Sequence, residues 1–253
     1  MNKILVALAI IVVLNSCGKT IDYTEAKFSA TMFINASPSN PVFNILVDGV
    51  NQTNTALVYR ASSLYLNIRP GVRKVNVQSN NIALPTDFAV FNAEQFDENK
   101  AATIVVYDTL LTPTGTLRTI RLTDDLTPAP DGFIKVRYLP LADRAPLSDI
   151  TFLRTTVTPN DSVTITNQSF IGFTPTAASI TTLSTFVQIP AGNYIIKQKA
   201  AGTQTVLAIT PTPSAAGSFI TSIGGIFKGA FTVYSVGNVR GLPLAISFTR
   251  NNP

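Results

Sequence analysis

The chain has 253 residues, of which 45% are hydrophobic and 13% charged, with one cysteine and no histidine. Without histidine there is no Ser-His or Cys-His nucleophile pair and no imidazole metal ligand, and one cysteine cannot form an intramolecular disulfide. The net charge of +5 comes from few charged residues, and this composition, rich in β-branched residues, favours packed β-sheet over disorder.

The N-terminus has the layout of a secretory signal. Lys3 supplies a positive charge, residues 4–14 form an apolar run of 11 residues, and small polar residues precede Cys17. This run is shorter than the roughly 20 apolar residues that a membrane-spanning helix needs. Residues 1–16 are therefore predicted to be a signal peptide and residues 17–27 a tether. The alternative is a buried N-terminal helix or strand with an incidental cysteine.

The end of this segment resembles a bacterial lipoprotein signal, because Leu14, Ser16 and Cys17 match the lipobox. The resemblance implies that the Cys17 sulfur carries diacylglycerol and that Cys17 is the first residue of the mature protein. More than one acyl chain gives durable anchoring, at about 0.8 kcal/mol per buried methylene. We therefore expect a lipid-anchored protein of the cell envelope, on the outer membrane, with the periplasmic or surface face left open.

The rest of the chain contains an internal repeat, which indicates the domain organisation. Three blocks recur in the same order, and a further strand closes each copy. The matched blocks are 30–49 with 133–154, 65–78 with 186–199 and 104–108 with 231–235, and the closing strands are 118–123 and 244–249. The repeat predicts two modules, at residues 28–127 and 131–253.

The segment between the modules, residues 123–132, holds acidic residues, two prolines and a glycine, which disfavour both helix and strand pairing. It predicts a short linker that restricts motion between the modules. The second module is longer at residues 155–183, for which we predict an extended hairpin or loop.

Apolar and polar residues alternate within each module, as in half-buried strands. For example, Val75 and Val77 alternate with Lys74 and Asn76. The predicted fold is all-β, with two tandem antiparallel β-sandwich modules of immunoglobulin-like architecture and about seven strands each. Residues 91–102 are the one stretch for which a helix is also considered.

Residues 35–49 read NASPSNPVFNILVDG, in which a strand runs into a proline turn and a second strand ends in Val-Asp-Gly. This block resembles the signature of DUF4397, a family of domains of unknown function. The matching residues are Ala36, Ser37, Pro38, Pro41, Val47, Asp48 and Gly49. The resemblance implies an exported, sandwich-like and often tandem envelope protein without established catalytic residues. The second module keeps only the proline turn, through Pro140 and Pro146, and is assigned by the repeat alone.

Carboxylates are the remaining candidates for catalysis or metal binding. Asp97 with Asn99, or Asp124 with Asp125, would offer oxygen ligands to Ca²⁺, although no EF-hand spacing is present. The plainer interpretation is that these residues form turns or solvated charges. We therefore expect no enzymatic activity, no metal and no cofactor, while catalysis by carboxylates alone stays open.

Two tripeptides, at residues 108–110 and 161–163, resemble the Asp-Ser/Thr-apolar O-glycosylation sequon of exported Bacteroidota proteins. The resemblance implies that Thr109 and Ser162 are glycan acceptors.

Basic residues are concentrated in the second module. Residues 131–253 hold 9 basic and 4 acidic groups, whereas residues 28–127 hold 7 and 8. The basic residues are scattered, without an Arg-rich run or clustered aromatic platforms, so no nucleic-acid partner is expected.

These features predict a non-enzymatic envelope lipoprotein that presents two β-sandwich modules for binding, adhesion or envelope assembly. The expected partners are the membrane, through acylated Cys17, and an envelope protein or glycan. One alternative is a carbohydrate-binding or carbohydrate-processing protein, in which Tyr59, Tyr65, Tyr138 and Tyr194 replace the missing tryptophan. The other is a structural spacer.

Overall fold

The computed structural model describes residues 27–38, 42–80, 87–108, 117–154, 161–210, 229–237 and 242–251. In these residues the chain forms 17 β-strands and one short α-helix, which confirms the expectation of a nearly all-β protein. The helix is neither long nor apolar enough to cross a membrane.

The first half of the chain forms two sheets that pack as a sandwich. Its strands are β1 (Ser29–Asn35), β2 (Val42–Val47), β3 (Val50–Asn51), β4 (Leu57–Val58), β5 (Leu66–Ile68), β6 (Gly71–Ser79), β7 (Asp87–Phe96), β8 (Ala101–Tyr107) and β9 (Arg118–Asp124). One sheet has the order β5-β1-β8-β9 and the other β3-β2-β6-β7, with β4 also paired to β2.

The second half of the chain is built in the same way. Its elements are β10 (Phe133–Pro140), β11 (Ser148–Arg154), β12 (Asp161–Gln168), α1 (Ala177–Ser184), β13 (Val187–Pro190), β14 (Tyr194–Ala200), β15 (Val206–Ile209), β16 (Ala230–Val236) and β17 (Ala245–Asn251). The sheets have the orders β13-β10-β16-β17 and β12-β11-β14-β15. The order β13-β10-β16-β17 repeats β5-β1-β8-β9 strand for strand, as the internal sequence repeat predicts.

Each sandwich encloses its own apolar core. The alternating strands point every second side chain inward, so that Phe43, Ile45 and Val77 fill the first core and Phe152 and Ile196 the second. All five are fully buried. Burying such a side chain contributes about 1.5–3 kcal/mol to the free energy of folding. Each core therefore holds its own sandwich together.

Two of the four sheets, β5-β1-β8-β9 and β13-β10-β16-β17, are mixed, which corrects the expectation of purely antiparallel modules. β1 pairs with β8 in parallel, and β10 pairs with β16 in parallel, whereas the other pairs are antiparallel. The alternation of a strand reports which side chains face a core, but it contains no information on the direction of the neighbouring strand.

Residues 91–102, considered for a helix, instead belong to strands β7 and β8 and the turn between them. Asn99 takes a left-handed conformation in this turn, with φ of 56°. Pairing of β7 with β6 over most of its length outweighs the helix propensity of Ala93, Glu94 and Gln95.

The predicted loop at residues 155–183 contains two regular elements in its described part. β12 pairs with β11, and α1 packs against β9 of the first module. The helix begins after Thr176, whose Oγ1 accepts a hydrogen bond from the backbone N of Ser179 at 3.2 Å. Ile180 and Leu183 are only partly buried, so the apolar stripe that would reveal the helix is weak.

The two sandwiches pack against each other through one sheet each. We call this interface the seam. Its buried apolar residues are Met32, Ile34, Ala36, Val105, Tyr107, Ile120, Leu122, Leu139, Leu141, Tyr234 and Val236. β1, β8, β10 and β16 are covered on both faces and are buried almost throughout, whereas β2 and β14 of the outer sheets alternate.

Both modules point their first strands in the same direction. Residues 60–65 run beside β1 toward its start, and they lie against β17, which runs toward the starts of β16 and β10. Two contacts show that the segments run in the same direction. Arg60 Nη2 donates to Ile246 O at 3.0 Å, and further along both segments Asn251 Nδ2 donates to Tyr65 Oη at 3.1 Å. The starts of β1 and β10 therefore lie at one end of the molecule.

We call this end the proximal end and the opposite end the distal end. In the first module the proximal end includes four exposed segments, at residues 27–28, 48–50, 69–74 and 97–100. The distal end includes residues 36–38 and 59–61 in the first module and 141–147, 169–176 and 201–205 in the second.

Candidate functional site

A buried ion pair joins the two modules. Arg137 Nη1, on β10, lies 2.7 Å from Oδ1 of Asp124, the last residue of β9, and the side chains are 1% and 0% exposed. Burial lowers the pKa of Arg137, because the guanidinium loses its hydration, and the Asp124 carboxylate opposes that change. The guanidinium also lies 4.6 Å from the centre of the Phe186 ring.

Hydroxyl groups make most of the other hydrogen bonds of both charges. Asp124 Oδ2 accepts hydrogen bonds from Tyr65 Oη at 2.5 Å and from Thr103 Oγ1 at 2.6 Å. Arg137 donates from Nε to Thr232 Oγ1 at 2.8 Å and from Nη2 to Thr103 Oγ1 at 2.9 Å. A buried charge is tolerated when it is paired and hydrogen-bonded in this way.

Asn251, the last residue of β17, closes the network. Its Oδ1 accepts from Thr232 Oγ1 at 2.7 Å, and its Nδ2 donates to Tyr65 Oη at 3.1 Å and to Thr103 Oγ1 at 3.2 Å. Burial, together with the Asp124 carboxylate, raises the pKa of Tyr65, so its phenol stays protonated as a donor. We call the six residues the seam cluster: Tyr65, Thr103, Asp124, Arg137, Thr232 and Asn251.

Several residues of the seam cluster occupy equivalent positions in the two modules. Thr103 on β8 pairs with Met32 of β1, and Thr232 on β16 pairs with Arg137 of β10. The two threonines therefore correspond, and Arg137 stands where the first module has Met32.

The ends of the closing strands correspond in the same way. Asp124 pairs with Ala101, two residues before Thr103, and Asn251 pairs with Ala230 at the matching place in β16. The first module thus has a carboxylate where the second has an amide.

The seam cluster can hold the modules together, but it is not placed to act on a substrate. Its members are buried or half-buried, and their polar groups bond to one another. Removing one partner of a buried ion pair typically costs about 3–5 kcal/mol. The cluster therefore gives the modules a defined relative position.

Two reciprocal contacts flank the cluster at the distal side. Tyr234 Oη of the second module donates to Arg60 O at 2.9 Å, and Tyr107 Oη of the first donates to Gly172 O at 3.1 Å. Burial raises the pKa of each tyrosine to about 12. Each module thus donates a tyrosine hydrogen bond to a loop of the other.

The structure places Asp97 and Asn99 together in the turn between β7 and β8. Asp97 accepts from Arg121 Nη2 at 2.8 Å and from Gln95 Nε2 at 3.2 Å, and the Asn99 backbone N donates to Phe28 O at 2.9 Å. Among the described His, Cys, Asp and Glu residues, no group of three or more could hold a metal ion.

Asp124 and Asp125 have different surroundings. Asp125 accepts from Lys135 Nζ at 2.5 Å and from Thr127 N at 3.0 Å, contacts that lower its pKa to about 2. Asp125 thus forms the expected turn. Asp124 instead belongs to β9 and is buried against Arg137, because the second module covers that face of the sheet.

Ser162, one of the two predicted glycan acceptors, lies exposed on β12. Thr109 and the predicted lipidation site Cys17 lie outside the described residues, so both modifications stay predictions.

The four tyrosines considered for sugar stacking serve the packing of the protein. Tyr138 and Tyr194 are buried in the second core, while Tyr59 and Tyr65 pack against the seam. Burial raises the pKa of Tyr194 to about 12. Of the four, Tyr65 also lines a cavity described below, without another of these tyrosines beside it there.

The described residues line at least two open cavities. The first, of about 480 Å³, lies at the proximal end of the first module and is lined by Phe28, Val47, Val50, Ile68, Arg69 and Arg73, among others. The second, of about 370 Å³, lies between residues 53–66 and β17, and it carries the hydroxyls of Thr53, Ser62 and Ser63 and the side chain of Arg250.

The sequence did not predict the seam cluster. Of its six residues, only Asp124 and Tyr65 were candidates, and for other roles. The available signal is the occurrence of Lys135 and Arg137 within the otherwise apolar strand β10.

Comparison with known proteins identifies one domain. Residues 29–151 match the family described as "Domain of unknown function (DUF4397)", so the chain contains a DUF4397 domain at these residues, as the resemblance of residues 35–49 implies. The match covers the first sandwich and, in the second, β10 and the first part of β11. No curated protein matches the chain.

Proposed function

We propose that the protein is a non-enzymatic envelope lipoprotein, anchored through acylated Cys17, that presents its two modules as one rigid binding unit. Its partner would be an envelope protein or a glycan. The observation that carries the proposal is the buried Arg137–Asp124 pair, which ties the second module to the first. Two modules tied in this way present their loops at constant spacing.

The described cavities favour binding over catalysis. A glycosidase needs two carboxylates facing each other across a cleft. The first cavity has one acidic residue, Asp48, which pairs with Arg73 at 3.2 Å, and the lining of the second contains none.

The distal end is the best candidate for the partner-binding surface. Loops on a rigid scaffold commonly carry binding function. The distal end includes residues 36–38 of the family signature, and it lies opposite the point where the tether of residues 17–27 joins β1. A partner could therefore reach it while the protein is anchored.

The anchor is tested by comparing wild type with Cys17→Ser in membrane fractions and by mass spectrometry of the N-terminal peptide. We expect an acylated N-terminal Cys17 in the wild type and an unprocessed chain in the variant. A wild-type protein that is soluble and unmodified would refute the anchor.

The binding role is tested by photo-crosslinking in intact cells from two exposed apolar positions. Leu147 lies at the distal end, and Ile209 lies on β15 of the outer sheet, where it pairs with Lys197 away from that end. We expect a discrete crosslinked partner from Leu147 and none from Ile209. No crosslink from either position, with the anchor intact, would favour a spacer instead. Turnover of a glycan or ester library by the purified protein would contradict the non-enzymatic role.

A further inference from the structure

We infer that the proximal end of the first module docks on the phospholipid headgroups of the anchoring membrane. This inference rests on the proposed anchoring through Cys17. It adds a second membrane contact, made by the folded module itself, and it assigns an orientation to the anchored protein.

Exposed apolar side chains gather at the proximal end. Phe28, Val50 and Val72 are 38%, 63% and 61% exposed, and they come from three separate segments of this end. Their convergence follows from the pairing of the sheets, because Ser29 pairs with Ile68 and the segments at residues 48–50 and 69–74 flank that pair. Apolar side chains on neighbouring turns can enter the headgroup boundary together.

Basic residues surround these apolar side chains. The four exposed segments at the proximal end of the first module contain five basic and three acidic residues. Asp124 and Asp125, at the adjoining end of β9, pair with Arg137 and Lys135 of the second module. Two ion pairs, Arg73–Asp48 at 3.2 Å and Lys27–Glu98 at 2.6 Å, use two residues of each sign, and the third acidic residue pairs with an arginine from β9. The exposed basic residues beyond these pairs are Arg69, Lys74 and Lys100.

This charge pattern suits lipid phosphate. Cationic side chains near a bilayer are attracted by anionic headgroups, and the attraction falls off within a Debye length. The combination of exposed apolar side chains and unpaired cations distinguishes this end from an ordinary solvated surface.

The cavity of about 480 Å³ opens at the same place. Its apolar wall includes Val47 and Ile68, and the side chains of Arg69 and Arg73 also line it. Arg73 is held by Asp48 and by the carbonyl oxygens of Arg69 and Pro70, so Arg69 is the arginine of this pocket that remains for a headgroup phosphate. Arginine binds phosphate oxygens well, and the apolar wall suits the glycerol.

The tether keeps this end close to the bilayer. From Cys17 to Lys27 the chain has ten peptide steps, which extend to about 35 Å at most. Phe28 follows directly, at the start of the first module. Confinement at such short range raises the effective concentration of lipid, so that even a weak contact is occupied.

The test uses the full-length lipoprotein inserted into preformed vesicles, with a polarity-sensitive fluorophore on one introduced cysteine. Acylated Cys17 has no free thiol, so the label reacts only with the new cysteine. Val72→Cys places the label at the proximal end. The matched control is Val58→Cys, 52% exposed, whose residue pairs with the start of β2 toward the distal end.

In vesicles containing phosphatidylglycerol, we expect the Val72→Cys label to shift to the blue and to be quenched by headgroup nitroxides. The Val58→Cys label should show neither change. Adding Arg69→Gln and Lys74→Gln, or raising the salt concentration, should reduce quenching at least several-fold. In pure phosphatidylcholine the quenching should be weaker, and inorganic phosphate without vesicles should leave the spectrum unchanged.

Equal quenching of the two labels in a protein with acylated Cys17 would overturn the docking inference and leave the anchor standing. A blue shift caused by inorganic phosphate alone would show a free-anion site and would also overturn docking on lipid. Mass spectrometry that finds no acyl chain would refute the proposed anchor, and with it this inference.

Discussion

Asp124 and Asn251 occupy equivalent positions at the ends of the two closing strands, and both bond to the hydroxyl of Thr103. Only Asp124 is charged, and it faces Arg137, which stands where the first module has Met32. The equivalent positions of the repeat thus hold uncharged residues, Met32 in place of Arg137 and Asn251 in place of Asp124.

We expect Asp124→Asn to lower the free energy of unfolding by about 3–5 kcal/mol, because Arg137 would stay buried without its anion. Urea unfolding followed by circular dichroism measures the loss. Adding Arg137→Met, which copies Met32, should restore most of it. A double variant as unstable as Asp124→Asn would contradict this account of the pair.

Tyr65→Phe should lower the free energy of unfolding by about 1–3 kcal/mol, because the Asp124 carboxylate loses a buried donor. Tyr59→Phe is a suitable control, since Tyr59 packs against the seam without a described hydroxyl partner. If both variants lose the same stability in thermal or urea unfolding, the hydroxyl of Tyr65 is not responsible.

Asp125 should contribute to stability at pH 5 but not at pH 2. Lys135 and Thr127 hold its pKa at about 2, below the ordinary 3.8. A lowered carboxyl pKa stabilises the fold above the unfolded pKa, and the contribution is lost as the pH falls from about 4 to about 2. The side chain is 56% exposed, so screening limits the effect to less than about 1 kcal/mol.

Urea midpoints at both pH values check this prediction. Asp125→Asn should be less stable than wild type at pH 5 and equal to it at pH 2. Asp143→Asn is the control, because Arg144 lies 3.6 Å away in a longer pair. A loss that is the same at both pH values would show that Asp125 acts through something other than its charge.

Gly237→Ala should be strongly destabilising. Gly237 has φ of +88°, and an added Cβ would lie 2.2 Å from Pro243 O, too close for any rotation to relieve. Gly49→Ala is the matched control, with φ of +81° and no atom within 4 Å, so its cost should be the backbone strain of about 1–2 kcal/mol. Thermal unfolding should rank Gly237→Ala well below Gly49→Ala, and equal melting temperatures would contradict the clash.

The correspondence between the two modules could be predicted from the sequence, because the chain contains an internal repeat. Matching residues 65–78 with 186–199 identifies β5 with β13 and β6 with β14, and the structure pairs them with corresponding neighbours. The parallel pairs were missed, since alternation does not reveal strand direction.

The seam could not be predicted in the same way. The charges of Lys135 and Arg137 suggest a solvated face on β10, but both are buried. Residues from the other module, including Thr103 and Asp124, provide the partners of Arg137. Periodicity within one strand does not report a second covering layer formed by a distant part of the chain.

The central position of β1 has a mechanical consequence. β1 lies between β5 and β8, with three paired positions on one side and six on the other. If the protein is anchored as proposed, a partner that pulls from the distal end would load β1 along its own axis. Its ladder hydrogen bonds lie across that axis, so they would resist in shear together instead of opening one at a time. The first strand after the predicted tether is thus supported against force by neighbours on both sides.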